Sequence, residues 1–209
     1  MEPIFLVEGK NDENVLRHLS RIHGIINNIK DIHVDPCEGL PDLLNLIPVR
    51  VKANPPSLGI IVDANADIQT RWKELSTILS AHGYFLPDVP EKQGTIVRQN
   101  NLPLLGIWLM PDNQSNGMLE NFLITMVPAE DKLFPIADRT LTEIEQKPEL
   151  IRYPLHKHSK ALVHTWLAWQ QKPGLPFGTA IAEHYFNTDN ELVKQFLEWV
   201  KKLFTQTQL

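Results

Sequence analysis

The chain has 209 residues, 43% hydrophobic and 22% charged, which suits one substantial soluble domain, or one domain with a small extension. Its net charge of −5 excludes a generic nucleic-acid coat, which needs a strongly basic surface, but not an enzyme that acts on nucleic acid through carboxylates and metal ions. The single cysteine, Cys37, excludes an intramolecular disulfide and a cysteine-rich zinc module and reads as a small buried hydrophobe.

Ile4-Phe5-Leu6-Val7 is apolar throughout, as expected of a strand covered on both faces. Gly9 supplies a turn, Asn11 or Asp12 can cap the next helix, and Val15, Leu16, Leu19 and Ile22 form its apolar face, with Gly24 as a stop. A weaker strand is predicted around Ile32 to Val34. A short helical pattern of Leu40, Leu43, Leu44 and Ile47 then ends near Pro48. Leu58 to Val62 is the second strong strand, and Ile68, Trp72, Leu75 and Leu79 stripe the helix after it, which His82-Gly83 closes. Thr95 to Val97 reads as a short strand and Leu104 to Met110 as the third strong one. Met118, Leu119, Phe122 and Met126 mark the following helix.

Strand and helix therefore alternate to about Val127, the pattern of a parallel α/β sheet. Beyond it, Leu162, Trp166 and Trp169 predict one helix and Leu192, Phe196, Trp199, Val200 and Leu203 another, with Pro173 to Gly178 as a stiff loop between. The division expected is an α/β core over 1–128 and a helical extension over 129–209 packed on it as one compact unit. Met1-Glu2-Pro3 has no basic region, the apolar run after it is too short for a secretory leader, and no apolar stretch is long enough to span a bilayer. The expected setting is cytoplasmic, with no membrane contact.

Acidic residues stand where the strong strands stop: Glu8 with Asp12 after it, Asp63 with Asp67 after it, and Asp112 in Pro111-Asp112-Asn113. In an open parallel sheet the strand C-termini share one edge, and ligands bind there. Carboxylates gathered at one point repel unless a cation lies between them, and Mg²⁺ suits such hard oxygen ligands. Glu8 and Asp63 end buried strands, where an unpartnered charge costs several kcal/mol, so function explains them better than structure does. Asp12 and Asp67 precede helices, and capping explains each equally well. Turn chemistry explains Asp112 as well as metal binding does. For Glu120, in a first helical turn, the helix dipole is the preferred reading.

The strand followed by Val7-Glu8-Gly9-x-x-Asp12 and an amphipathic helix resembles the opening motif of Toprim domains, found in topoisomerases, primases and OLD-type nucleases. Asp63-Ala64-Asn65-Ala66-Asp67 corresponds to their second hallmark, Asp-x-Asp, with Asn65 where the second Asp is expected. With Met110-Pro111-Asp112-Asn113, Leu119-Glu120 and the stretch from Lys160 to Gly178, the arrangement looks like the compact stand-alone Toprim-like family of unknown function. The resemblance implies an α/β fold with a mostly parallel, Toprim-like sheet flanked by helices and a C-terminal helical extension.

It also implies metal-dependent phosphoryl transfer or nuclease action on nucleic acid. Mg²⁺ or Mn²⁺ would be held by Glu8, Asp63, Asn65, Asp67 and Asp112, with Glu8 and Asp63 catalytic. By analogy with OLD-type nucleases it implies a separate ATPase partner, since this chain has no Gly-x-x-x-x-Gly-Lys loop. Asn65, uncharged, sets beside this an alternative: a degenerate Toprim module that binds nucleic acid, metal or a partner protein without turnover. Lys10 and Arg71 are placed in sequence to contact phosphate. So are Lys157 and Lys160, in a stretch from Ile151 to Ala182 that has no acidic residue and interleaves basic residues with aromatics. A solvated basic face over buried tryptophans is the competing account. His156-Lys157-His158 has no acidic or cysteine partner near it in sequence, so zinc is not the expected ligand there.

Overall fold

The computed structural model describes residues 2–205. Five strands form one sheet in the order β2-β1-β3-β5-β4: β1 (Ile4–Val7), β2 (His33–Pro36), β3 (Ser57–Asp63), β4 (Thr95–Val97) and β5 (Leu104–Met110). All pairings are parallel except β4 against β5. The helices are α1 (Lys10–Ile22), α2 (Leu40–Ala53), α3 (Ile68–Ser80), α4 (Leu119–Ile124), α5 (Phe134–Glu145), α6 (His158–Ala168), α7 (Phe177–Ala182) and α8 (Glu191–Thr205).

Successive strand residues point to opposite faces, so the apolar runs supply two cores. Leu6, Ile60, Val62, Leu105, Ile107 and Leu109 face α2 and α3. Phe5, Val7, Ile61, Trp108 and Met110 face the other layer, which holds α1 and α4 to α8. On that second face β3 and β5 carry Gly59 and Gly106. A Cβ on Gly106 would stand 2.7 Å from Leu203 Cδ1, and one on Gly59 would stand 2.5 Å from Phe5 Cδ1. The missing side chains let α8 lie against the sheet, where Trp199 packs edge-on to Phe5 and close to Trp108. The Ser57 hydroxyl donates to the Leu203 carbonyl at 2.7 Å. The last helix is thus part of the hydrophobic layer over the central strands.

Several predicted boundaries shift. α2 runs through Pro48 to Ala53, because Leu43, Ile47 and Val51 make one buried stripe whose burial outweighs the hydrogen bond that proline lacks. α1 starts at Lys10 with Gly9 as its N-cap, so neither Asn11 nor Asp12 caps it. α5 and α7 were not foreseen, and α7 begins at Phe177, inside the expected loop. Trp169 follows the end of α6 and is 41% exposed, so the face it was assigned to ends at Trp166. Among the described residues no helix is long and apolar enough to cross a membrane.

Candidate functional site

A cavity of about 360 Å³ opens at the C-terminal edge of β1 and β3. Two loops make its floor. After β3 the chain turns at Asn65, whose backbone is left-handed with φ 55°. Asn65 and Gly117 exchange backbone hydrogen bonds of 2.6 and 2.9 Å. Asn116 fastens the same junction, accepting from Ile68 N at 2.9 Å and donating to the Ala66 carbonyl at 2.7 Å. These contacts bring the start of α4 beside the end of β3, although the two are far apart in sequence.

Glu8, Asp12, Asp63 and Glu120 all line this cavity. Glu8 Oε1 accepts from Asp63 N at 2.7 Å, and Asp63 Oδ1 accepts from Leu119 N, in the first turn of α4, at 2.9 Å. The charges oppose one another. Burial pushes the Asp63 carboxyl well above the usual carboxylate range, and Asp12, Glu8 and Glu120 push it further against the pull of the Leu119 N–H. Burial, then Glu8 and Glu120, raise Asp12 to about 7. Burial also raises Glu8, although the Asp63 N–H and the Arg71 guanidinium pull the other way. Glu120 is 4% exposed, and Lys160 on α6 stands 3.4 Å from it. Lys10, Lys157 and Lys160 form the basic part of the wall.

The predicted residues divide. Glu8, Asp63, Asn65, Lys10, Lys157 and Lys160 meet at the cavity. Asp67 and Asp112 stand apart from it, each occupied locally. Asp67 caps α3, accepting from Gln69 N at 3.1 Å and from the Thr70 hydroxyl, and these bonds hold its carboxyl below the usual range. Asp112 closes its own turn through Gln114 N, Ser115 N and the Ser115 hydroxyl. The Arg71 guanidinium is taken up by the Asp63 carbonyl at 3.0 Å and by Glu74 at 2.6 Å, which turns it to bracing the end of β3.

Two residues with bland explanations in sequence, Asp12 and Glu120, complete the acidic wall. The signal for Asp12 was its place in Glu8-Gly9-x-x-Asp12, and the start of α1 at Lys10 removes the capping account. Glu120 was carried only as part of Leu119-Glu120 in the resemblance, with the helix dipole preferred, and the pairing of Asn65 with Gly117 is what brings it to the cavity. His158 has acidic partners after all: Glu145 at 2.9 Å and Asp138 at 3.1 Å, both on α5. These join α5 to α6.

Carboxylates are hard oxygen donors, and four facing one another through a shared cavity fit a divalent cation by donor chemistry. In their present rotamers, no group of three or more His, Cys, Asp or Glu side chains among the described residues is arranged to hold an ion.

Fold and site together define a mostly parallel α/β protein with an acidic, lysine-bordered pocket at the strand C-termini. Its chain belongs to the family described as protein of unknown function, DUF3226, whose model matches residues 2–205. A solved structure of the C-terminal region of the Xanthomonas campestris pv. campestris OLD protein is similar at 14% identity and a TM-score of 0.45, covering 96% of this chain and 94% of that one. No curated protein matches.

Proposed function

We propose that this cavity is a divalent-cation site for phosphoryl transfer on nucleic acid. The observation that carries the reading is the cluster itself: Glu8, Asp12, Asp63 and Glu120 line one cavity, Asp63 is raised first by its burial and then by the other three carboxylates, and Lys160 lies 3.4 Å from Glu120. Such an arrangement is costly when empty and is relieved by a cation. The Toprim-like motifs at Glu8 and at Asp63-Ala64-Asn65 support the same reading.

A bound Mg²⁺ or Mn²⁺ would supply Lewis acidity at the phosphoryl group. Glu8, Asp12, Asp63 and Glu120 are the residues that would hold it. Glu8, whose Oε1 is oriented by the Asp63 N–H, is the carboxylate best placed to take a proton from an attacking water through its other oxygen. Lys157, Lys160 and Lys10, the last paired with Glu13, line the same cavity and would offer positive charge to the non-bridging oxygens of a phosphate. The resemblance to OLD-type nucleases extends the proposal to a separate ATPase as partner.

The test is cleavage of plasmid and single-stranded DNA in Mg²⁺ or Mn²⁺. Cleavage that disappears in EDTA and in Asp63→Ala supports the reading. No cleavage across several metals and both RNA and DNA overturns it. A second reading, binding without turnover, is favoured by Asn65, which stands exposed at the cavity and carries no charge. Cation and DNA binding without cleavage, with cleavage appearing in Asn65→Asp, would select it.

A further inference from the structure

A second cavity of about 450 Å³ adjoins the acidic one, and the two share Asn65 and Met118 in their walls. Its chemistry is different. No Lys, Arg, Asp or Glu lines it. Its remaining polar groups come from Asn116, Asn121, His156 and Ser159. A charged phosphate has no counter-charge there, but a neutral, flat, hydrogen-bonding group has partners. Together the two volumes fall in the range of roughly 300–1,000 Å³ typical of small-ligand sites.

The hydrogen bonds already made show which valences remain. Asn116 spends both ends of its amide on Ile68 N and the Ala66 carbonyl, so it is rigid wall. Asn121 accepts from Met118 N at 3.0 Å and donates to Ser159 Oγ at 2.8 Å. The Ser159 hydroxyl, which lines the cavity, donates to no acceptor among the described residues. The exposed side chains of Asn65 and His156 make no hydrogen bond among the described residues. An Asn amide offers a donor and an acceptor side by side, the pairing that reads a nucleobase edge. The imidazole of His156 and the thioether of Met118 supply flat and apolar contact of the kind bases stack on.

We propose that the substrate of this site is an unpaired nucleotide unit. Its phosphate lies against the carboxylates and lysines, and its base lies in the neutral cavity between Asn65, Met118 and His156. This rests on the phosphoryl-transfer reading and narrows it. A base held in a duplex stack has its edge paired and its faces covered, so it reaches such a cavity only when unpaired or flipped out.

The test is fluorescence anisotropy at one fixed salt concentration, because phosphate contacts are strongly salt-dependent. Three labelled ligands of equal length are compared in Ca²⁺: a single-stranded decamer, the same decamer with every base removed, and its blunt duplex. The single strand is expected to bind about tenfold tighter than the abasic strand, in line with about 1–3 kcal/mol per stacked base, and tighter than the duplex. His156→Ala and Asn65→Ala are each expected to cut the single-strand to abasic ratio by about threefold or more. Equal binding of the normal and abasic strands overturns the base cavity and leaves the phosphoryl-transfer reading standing. So does a duplex that binds as well as the single strand, or a ratio that neither variant changes. No detectable binding of any of the three, in Ca²⁺ or Mn²⁺, overturns both.

Discussion

Glu8 Oε1 accepts a 2.7 Å hydrogen bond from the backbone N–H of Asp63. The carboxyl that ends β1 is thereby fixed to the end of β3. The register makes this contact available: Val7 pairs with Ile61, so β3 runs two residues further and presents the Asp63 N–H beside the Glu8 side chain. One carboxylate orients the backbone of the next, and the side chain of that next residue is oriented in turn by the first turn of α4.

Replacing Glu8 separates its charge from its hydrogen bond. Glu8→Gln keeps an oxygen that can accept from Asp63 N and removes the charge. Its stability without metal should stay within about 1 kcal/mol of the parent, while the rise in Tm on adding Mn²⁺ is largely lost. Glu8→Ala should cost about 1–3 kcal/mol, because it leaves a part-buried N–H without its partner. Chemical denaturation with and without Mn²⁺ reads both. An unchanged Mn²⁺ effect in Glu8→Gln removes Glu8 from the cation site.

Stability should fall with rising pH in EDTA. Glu8, Asp12 and Asp63 all have folded-state proton affinities above their unfolded values. Between about pH 4 and each folded value, the native protein binds more protons than the unfolded chain, so raising pH favours unfolding. The stabilisation is fully present below the unfolded values and is lost as pH rises through the folded ones, which for Asp12 lies at about 7. Tm in EDTA should therefore drop between pH 5.5 and 8, and Mn²⁺ should flatten the drop. His158 is also raised and acts in the same direction, whereas His18 and His164 are lowered by burial and act against it, so Asp12→Asn isolates the cavity's share by reducing the slope. A slope that Asp12→Asn leaves unchanged contradicts the acidic cluster.

Much of the sheet was legible because its strands are short apolar runs bounded by turn residues, and because the stripe Ile68, Trp72, Leu75 and Leu79 has an unambiguous helical period. α7 was hidden: Phe177 to Ala182 is only one and a half turns, follows a proline, and is helical because Phe177, Ala180 and Ile181 bury there. At the site, Glu8 and Asp63 were legible as charges at the ends of buried strands. For Asp67 and Asp112 the sequence left capping and turn chemistry level with metal binding, and the local donors decide for the former. Glu120 joined the site through the pairing of Asn65 with Gly117, a contact between two loops with no periodic signature.

Gly106 tests how tightly α8 is seated. An added Cβ would meet Leu203 Cδ1 at 2.7 Å, Leu203 Cδ2 at 2.9 Å and Trp199 Cζ2 at 3.1 Å. Gly106→Ala should cost about 1–3 kcal/mol by overpacking, and Trp199→Ala about 3–5 kcal/mol by the cavity it leaves. Leu203→Ala should recover part of the Gly106→Ala loss by making room for the new methyl. Denaturation midpoints of the single and double variants measure this, and strictly additive losses would mean that the two positions do not touch.

His158 joins α6 to α5. Its burial disfavours the charged form, but its hydrogen bonds to Glu145 and Asp138 outweigh that and raise its proton affinity. The Tyr153 hydroxyl donates to the same Glu145 carboxylate at 2.8 Å. Stabilisation from a raised histidine is complete below about pH 6.5 and is lost as pH rises through its folded value. His158→Gln should therefore cost more at pH 6 than at pH 9, and under about 1 kcal/mol because the pair is partly exposed to solvent. A cost that is equal at the two pH values would assign His158 to packing alone.

Asn116 holds the two loops under the cavity together, and its removal should injure the site more than the fold. Asn116→Ala leaves Ile68 N and the Ala66 carbonyl without their side-chain partner. Asn116 is exposed, so water replaces much of what is lost and the stability cost should be about 1 kcal/mol. The backbone pairing of Asn65 with Gly117 remains, but it then holds the junction alone. Glu120 and the Leu119 N–H that binds Asp63 both depend on that junction. The variant should therefore fold, keep its near-ultraviolet circular dichroism, and bind Mn²⁺ several-fold more weakly by isothermal titration. Aspartate at this position separates hydrogen bonding from charge: Asn116→Asp can still accept from Ile68 N but cannot donate to the Ala66 carbonyl, so Mn²⁺ affinity should lie between those of the parent and Asn116→Ala. If Asn116→Ala binds Mn²⁺ as the parent does, the junction does not position the acidic wall.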